Sequence, residues 1–162
     1  MRLALTTFLT ILSLATPAHA QLSSNNIGEL LAAHNAYRAP LGLPPLHWSA
    51  VLADEAQDWA EHLAQIGTLA HSGPGQNLAW ATAGSVSLTQ FVDLWGGERR
   101  YFHDGSFPDI SSTGNWMDVG HYSQIIWAAT NEVGCGFTES YGRDYLVCNY
   151  SPPGNVMGER PY

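Results

Sequence analysis

The two cysteines of the 162-residue sequence, Cys135 and Cys148, stand at equal distances from a single turn. The stretches Glu132 to Thr138 and Asp144 to Tyr150 are rich in β-branched and aromatic residues. Tyr141-Gly142 separates them, so together they read as an antiparallel hairpin. Cys135 lies six residues before Tyr141 and Cys148 six residues after Gly142, which sets them directly opposite each other. An opposed pair at a non-hydrogen-bonded position meets disulfide geometry. Metal ligation is the rival reading, but two thiols with no other ligand nearby make a poor metal site.

A bridge of this kind needs an oxidising compartment, and the first residues point to one. Met1-Arg2 is a short positive start, Leu3 to Leu14 is apolar, Pro17 breaks the run, and Ala18-His19-Ala20 offers small residues for cleavage. Residues 1–20 are expected to be a signal peptide cut between Ala20 and Gln21. The run is too short to span the ~30 Å of hydrocarbon in a bilayer, and no later stretch forms a transmembrane segment. Residues 21–162 are then one exported domain, extracellular or periplasmic. A domain of that size buries roughly two-thirds of its unfolded surface, so the bridge supplements a core rather than replacing one.

The sequence has no lysine, and fourteen acidic residues face six arginines for a formal charge of -8. A nucleic-acid partner needs clustered cations to release counterions from phosphates, so the composition argues against that class and none is expected. The domain is expected to be a monomer.

Three longer helices precede the hairpin. Ile27, Leu30, Leu31 and His34 recur on one face, with Asn25 or Asn26 as cap, until Pro40. A second helix after Ser49 is expected to bury Leu52, Ala56, Trp59, Ala60 and Leu63 and to stop at Gly67. The third, capped by Ser87, carries Leu88, Phe91, Val92 and Trp95, weakens at Gly96-Gly97 and resumes toward Phe102. A short helix is expected over His121 to Trp127. Residues 103–118 carry few regular signals but many apolar side chains among glycines. Tyr101, Phe107 and Trp116 are candidates for a loop that gates a hydrophobic ligand, while the plainer reading is that they pin the loop to the core.

Several phrases resemble one family. Gly120-His121-Tyr122-Ser123-Gln124-Ile125-Ile126-Trp127 and Tyr145-Leu146-Val147-Cys148-Asn149-Tyr150-Ser151-Pro152-Pro153-Gly154-Asn155 resemble the two signatures of the CAP superfamily. This superfamily groups cysteine-rich secretory proteins, insect antigen 5 and plant pathogenesis-related class one proteins, and its domain is also called SCP-like. His34-Asn35 with Arg38, Leu46-x-Trp48-Ser49, His71-Ser72 with Gly75-x-Asn77, and Trp95-x-x-Glu98 follow in the family's order. The resemblance covers nearly all of residues 21–162. It implies an α+β fold, a three-layer α-β-α sandwich with a small antiparallel sheet flanked by helices. Two departures stand out. The family's Gly-Glu-Asn is Gly75-Gln76-Asn77 here, and the usual further cysteine positions are occupied by Gly67, Thr113 and Val119, so nothing covalent holds residues 103–118.

The resemblance implies a central cavity lined by His71, Gln76, Glu98 and His121. His71 and His121 are the expected ligands of a weakly held, zinc-like divalent cation, and no cofactor is required. Gln76 and Glu98 are expected around them, Glu98 orienting a histidine or a water. On a regular helix Glu98 would share the face of Phe91. The plainer reading makes these residues a hydrogen-bonded structural network. His34 is expected to be structural, paired with the loop or with Arg38. His47, His62 and His103 are read as packing or surface residues, and Asn149, though in a sequon, is not expected to carry a glycan.

The function expected is that of a non-catalytic binding module for a lipid or sterol, a small hydrophobic ligand, or a cell-surface component. One alternative is a metal-dependent, peptidase-like hydrolase using His71, His121 and Glu98. The other is an extracellular interaction scaffold. No Gly-x-Ser-x-Gly elbow occurs, and Ser72 and Ser123 are badly placed beside His71 and His121 for a nucleophile–base pair.

Overall fold

The computed structural model describes residues 22–162. The leader expected over residues 1–20 and its cut before Gln21 lie outside the described residues.

Helix α1 (Ser24–Arg38) begins at Ser23, whose hydroxyl accepts the Asn26 backbone N–H. The cap is thus two residues earlier than Asn25, because Ser23 is still extended while Asn26 already lies inside the helix. Helix α2 (Ala50–Ile66) stops at Gly67, whose φ of 70° takes the left-handed conformation as its N–H returns to the Leu63 carbonyl. Helix α3 (Leu88–Gly96) opens with a capping box in which Ser87 and Gln90 each bond the other's backbone N–H. It continues as a 3-10 turn over Gly97–Tyr101. Helix α4 is the short segment Gly120–Ile125.

The strands are β1 (His47–Trp48), β2 (Gln76–Thr82), β3 (Glu132–Ser140) and β4 (Arg143–Ser151), in the order β1-β3-β4-β2. The β3–β4 register pairs Cys135 with Cys148, which form the disulfide with 4.1 Å between their Cα atoms. The sheet is mixed rather than wholly antiparallel. The chain leaving α1 runs alongside β3 for two residues, in the same direction, before it turns into α2. Strand β2 carries one β-branched residue, Thr82, and gives no strand signal in the sequence; pairing with β4 from Gln76↔Asn149 to Thr82↔Arg143 makes it one.

Alternation along the strands builds three layers. Tyr145 and Val147, with Leu78 of β2, face α2 and pack on Ala56, Ala60 and Leu63. Leu146, Cys148 and Tyr150 face the other way, onto Leu30 of α1, Phe91 and Trp95 of α3 and Ile125 of α4. Helix α2 approaches β3 so closely that a Cβ on Gly136 would lie 2.2 Å from the Gln57 backbone nitrogen. That approach buries Gln57, whose side-chain oxygen accepts the Phe137 N–H, while Leu52 and Trp59 stay half-buried.

Two further devices hold the ends of these elements. Arg38 is buried, and its guanidinium donates to the carbonyls of Pro44, Ile125, Trp127 and Thr130, tying α1 to the exit of α4. The irregular segment 103–118 is laced by the C-terminal residues. Phe107 exchanges backbone hydrogen bonds with Glu159 and Gly158, and Arg160 pairs with Asp104. Among the described residues no helix is long and apolar enough to cross a membrane.

Candidate functional site

A hollow of about 500 Å³ opens where four segments meet. They are the turn that leads into β2, the first turn of α4, the residues after β4 and the irregular segment carrying Phe107, Trp116 and Met117. His71 and His121 both line it.

His121 is the second residue of α4, and Glu98 holds it in place. Glu98 does not extend the stripe of α3. It sits on the 3-10 turn beyond Gly96, from which its carboxylate reaches α4. One oxygen accepts His121 Nδ1 at 2.7 Å, and the other accepts the backbone N–H groups of His121 and Tyr122, both at 3.0 Å. An ionised carboxylate only accepts, so Nδ1 carries the hydrogen and Nε2 is the free nitrogen of the ring. The ring also stacks on Trp95, with centroids 6.1 Å apart and planes 22° from parallel. Its tautomer and orientation are both set by the surrounding fold.

Below His121 the network runs into the core. Asn77 Nδ2 donates to the His121 carbonyl and to the Tyr150 hydroxyl, both at 3.1 Å. The Tyr150 hydroxyl lies 2.7 Å from His34 Nε2, and His34 Nδ1 lies 2.7 Å from the Leu30 carbonyl. The partner of His34 is therefore Tyr150, neither the loop nor Arg38, because α1 crosses over β4 at this point. Complete burial lowers the His34 pKa to about 4, with the nearby Arg38 charge acting in the same direction.

His71, also lining the hollow, is exposed. Desolvation lowers its pKa, and the proximity of His121 lowers it further. Gln76 is buried at the start of β2 and uses its whole amide. Its oxygen accepts the Ser72 N–H at 3.0 Å, and its nitrogen donates to Ser72 Oγ and Asn149 Oδ1, both at 2.9 Å. The turn before it needs Gly75, whose φ is 70° and whose Cβ would meet Pro153 at 2.7 Å.

Among the described residues no group of three His, Cys, Asp or Glu side chains is placed to hold a metal ion. The donor set at the hollow consists of two imidazoles. Imidazole is a ligand type that borderline cations accept, so these are the two side chains that could hold one.

Of the apolar candidates, Phe107 and Trp116 line the hollow, their rings meeting edge to face at 5.1 Å. Tyr101 lies outside it. The 3-10 turn points its ring away, where it sits 4.9 Å beneath the Arg100 guanidinium. The sequence reading did not single out Asn155 or Gln124. Asn155 adopts a left-handed φ of 56° and clasps Gly120 and Ser123, and Gln124 accepts the Gly154 N–H. The dipeptide Gly154-Asn155 was the local sign of that turn. Ser123 is fully buried and spent on these bonds.

A family model described as "CAP: Cysteine-rich secretory protein family" matches residues 31–150. Pathogenesis-related protein 1C of Nicotiana tabacum is 36% identical over 159 residues, covering 96% of this chain and 90% of that protein. Pathogenesis-related leaf protein 4 of Solanum lycopersicum is 37% identical over 155 residues, covering 95% and 94%. Among solved structures, NaASP2 with Zn2+ superposes with a TM-score of 0.75 at 20% identity, over 90% of this chain and 88% of that one, a likeness of fold. By its sequence relatives, its matched profile and its α-β-α architecture, the chain belongs to the cysteine-rich secretory protein, or CAP, family.

Proposed function

We propose that this chain is an exported, non-catalytic binding module whose hollow holds a divalent cation weakly between His71 and His121 and receives a small hydrophobic ligand, a lipid or sterol, against Phe107 and Trp116. Export is supported by the leader expected at residues 1–20, the Cys135–Cys148 bridge and the secretory family to which the chain belongs.

The observation that carries the reading is the commitment of Glu98. Both its oxygens are engaged by three N–H groups of α4. A metal-dependent hydrolase needs a carboxylate free to take a proton from water. Glu98 acts instead as a positioning residue that presents His121 Nε2. Gln76 supplies no charge, and its amide is consumed by Ser72 and Asn149. The hollow is of the volume usual for a small-molecule site.

Two measurements test this. Native mass spectrometry of the secreted protein is expected to show a co-purifying apolar molecule, and repeated absence would favour a plain scaffold. A broad peptide library incubated with zinc is expected to stay intact; cleavage lost in Glu98→Gln would establish the hydrolase instead.

A further inference from the structure

We propose that the mouth of the hollow docks onto a neutral, zwitterionic lipid surface through Trp116, Met117, Val156 and Met157. The inference extends the lipid part of the reading just given, and it rests on the outside of the hollow, with no part played by a cation.

Two segments at the opening expose apolar side chains. Trp116 and Met117, in the 3-10 turn Trp116–Asp118, line the hollow and are nevertheless 40% and 63% exposed. Val156 and Met157, on the turn that follows Asn155, are 37% and 71% exposed. Gly120 and Phe107 bring the two segments together. The Trp116 ring lies over Gly120, where a Cβ would meet it at 3.0 Å, and Asn155 Nδ2 donates to the Gly120 carbonyl. The Phe107 ring meets Trp116 at 5.1 Å, and the Phe107 carbonyl accepts the Gly158 N–H. Apart from Met1, Met117 and Met157 are the only methionines of the chain. Both therefore belong to this patch, where unbranched thioethers keep an apolar surface adaptable to a fluid partner.

Three considerations identify that partner. The first is charge. Among the described residues no Asp, Glu or Arg lines the hollow, in a chain with fourteen acids and six arginines. Asp118 and Glu159 flank the patch in the chain, and the adjoining cation, Arg160, is paired with Asp104. An anionic bilayer is repelled by such a surface, and a zwitterionic one is not. The second is size. The four side chains present roughly 400 Å² to solvent, enough to mark an interaction site but about half of what each partner gives to a stable protein–protein interface. A bilayer sets no such minimum, because each side chain that leaves water adds its own transfer free energy. The third is position. A lipid leaving the surface here enters the hollow beside Phe107 and Trp116 without crossing water.

The test is flotation of the purified protein with phosphatidylcholine vesicles, with and without phosphatidylserine, at low and high salt. Binding to the neutral vesicles is expected, insensitive to salt and weakened by phosphatidylserine at low salt. Met117→Glu combined with Met157→Glu is expected to weaken it by about tenfold or more, and the two leucine substitutions to retain it. Both positions are exposed, so these variants fold, which circular dichroism checks. Brominated phosphatidylcholine is expected to quench Trp116, with most of the quenching lost in Trp116→Phe. No binding to neutral vesicles, binding to anionic ones only, or binding that the glutamates leave unchanged overturns the proposal. Neutral-vesicle binding by a protein that carries no co-purifying molecule supports the docking surface while removing the ligand from the proposed function. A co-purifying molecule without vesicle binding overturns the docking surface alone.

Discussion

Glu98 grips His121 at both ends of the residue: one carboxylate oxygen lies 2.7 Å from Nδ1 of the ring, and the other lies 3.0 Å from its backbone nitrogen. The same contact that starts a six-residue helix therefore also aims an imidazole into the hollow. Structure and site share one side chain.

Glu98→Ala is expected to lower stability by about 2 kcal/mol, since it orphans three donors at a half-buried helix start. Urea unfolding checks this. The same change is expected to weaken zinc binding by roughly tenfold through loss of ring orientation.

Acid sensitivity follows from His34. Its folded-state pKa of about 4 lies below the ordinary 6.5, so the unfolded chain binds the extra proton first. Stability is complete above pH 6.5 and is lost as pH falls toward 4, by about 3 kcal/mol from this group. The lowered pKa of His71 acts in the same direction, weakly because that ring is exposed. Chemical unfolding at pH 7 and pH 5 should show the slope, and His34→Gln should flatten it while losing stability at neutral pH.

Two glycines are expected to respond oppositely to the same change. Gly136→Ala drives a methyl into the α2 backbone, 2.2 Å from Gln57 N, and should cost about 3 kcal/mol or more. Gly28, exposed within α1 with nothing within 4 Å of its Cβ position, should gain up to about 1 kcal/mol as alanine. Thermal melts of the two variants separate them.

What the sequence made legible was whatever depends on local order. The Tyr141-Gly142 turn fixes the Cys135–Cys148 register, and Gly67 and Ser87 mark helix ends where they were expected. What it hid depends on partners distant in the chain. Strand β2 exists because β4 pairs with it along its length, and no β-branched run announces it. Arg38 and Gln57 are buried polar residues whose partners are mostly backbone atoms, and backbone atoms leave no mark on composition. At the site, His71, Gln76, Glu98 and His121 were legible through the family resemblance alone. That Glu98 is fully spent and that Gln76 is a clasp depends on contacts with α4, Ser72 and Asn149 that only the folded chain brings about.

Reducing the Cys135–Cys148 bridge is expected to cost about 3 kcal/mol in the chain-entropy account, because the closed loop is short. Unfolding with and without reductant measures it. The hairpin itself should persist, since β2 and β1 flank it on both sides.

The central claim is that the imidazoles of His71 and His121 act together on one ligand in the hollow, and zinc calorimetry on the protein and on its His121→Ala variant tests it most directly. A single weak site that vanishes in the variant is the result predicted; an isotherm identical in both proteins would contradict it.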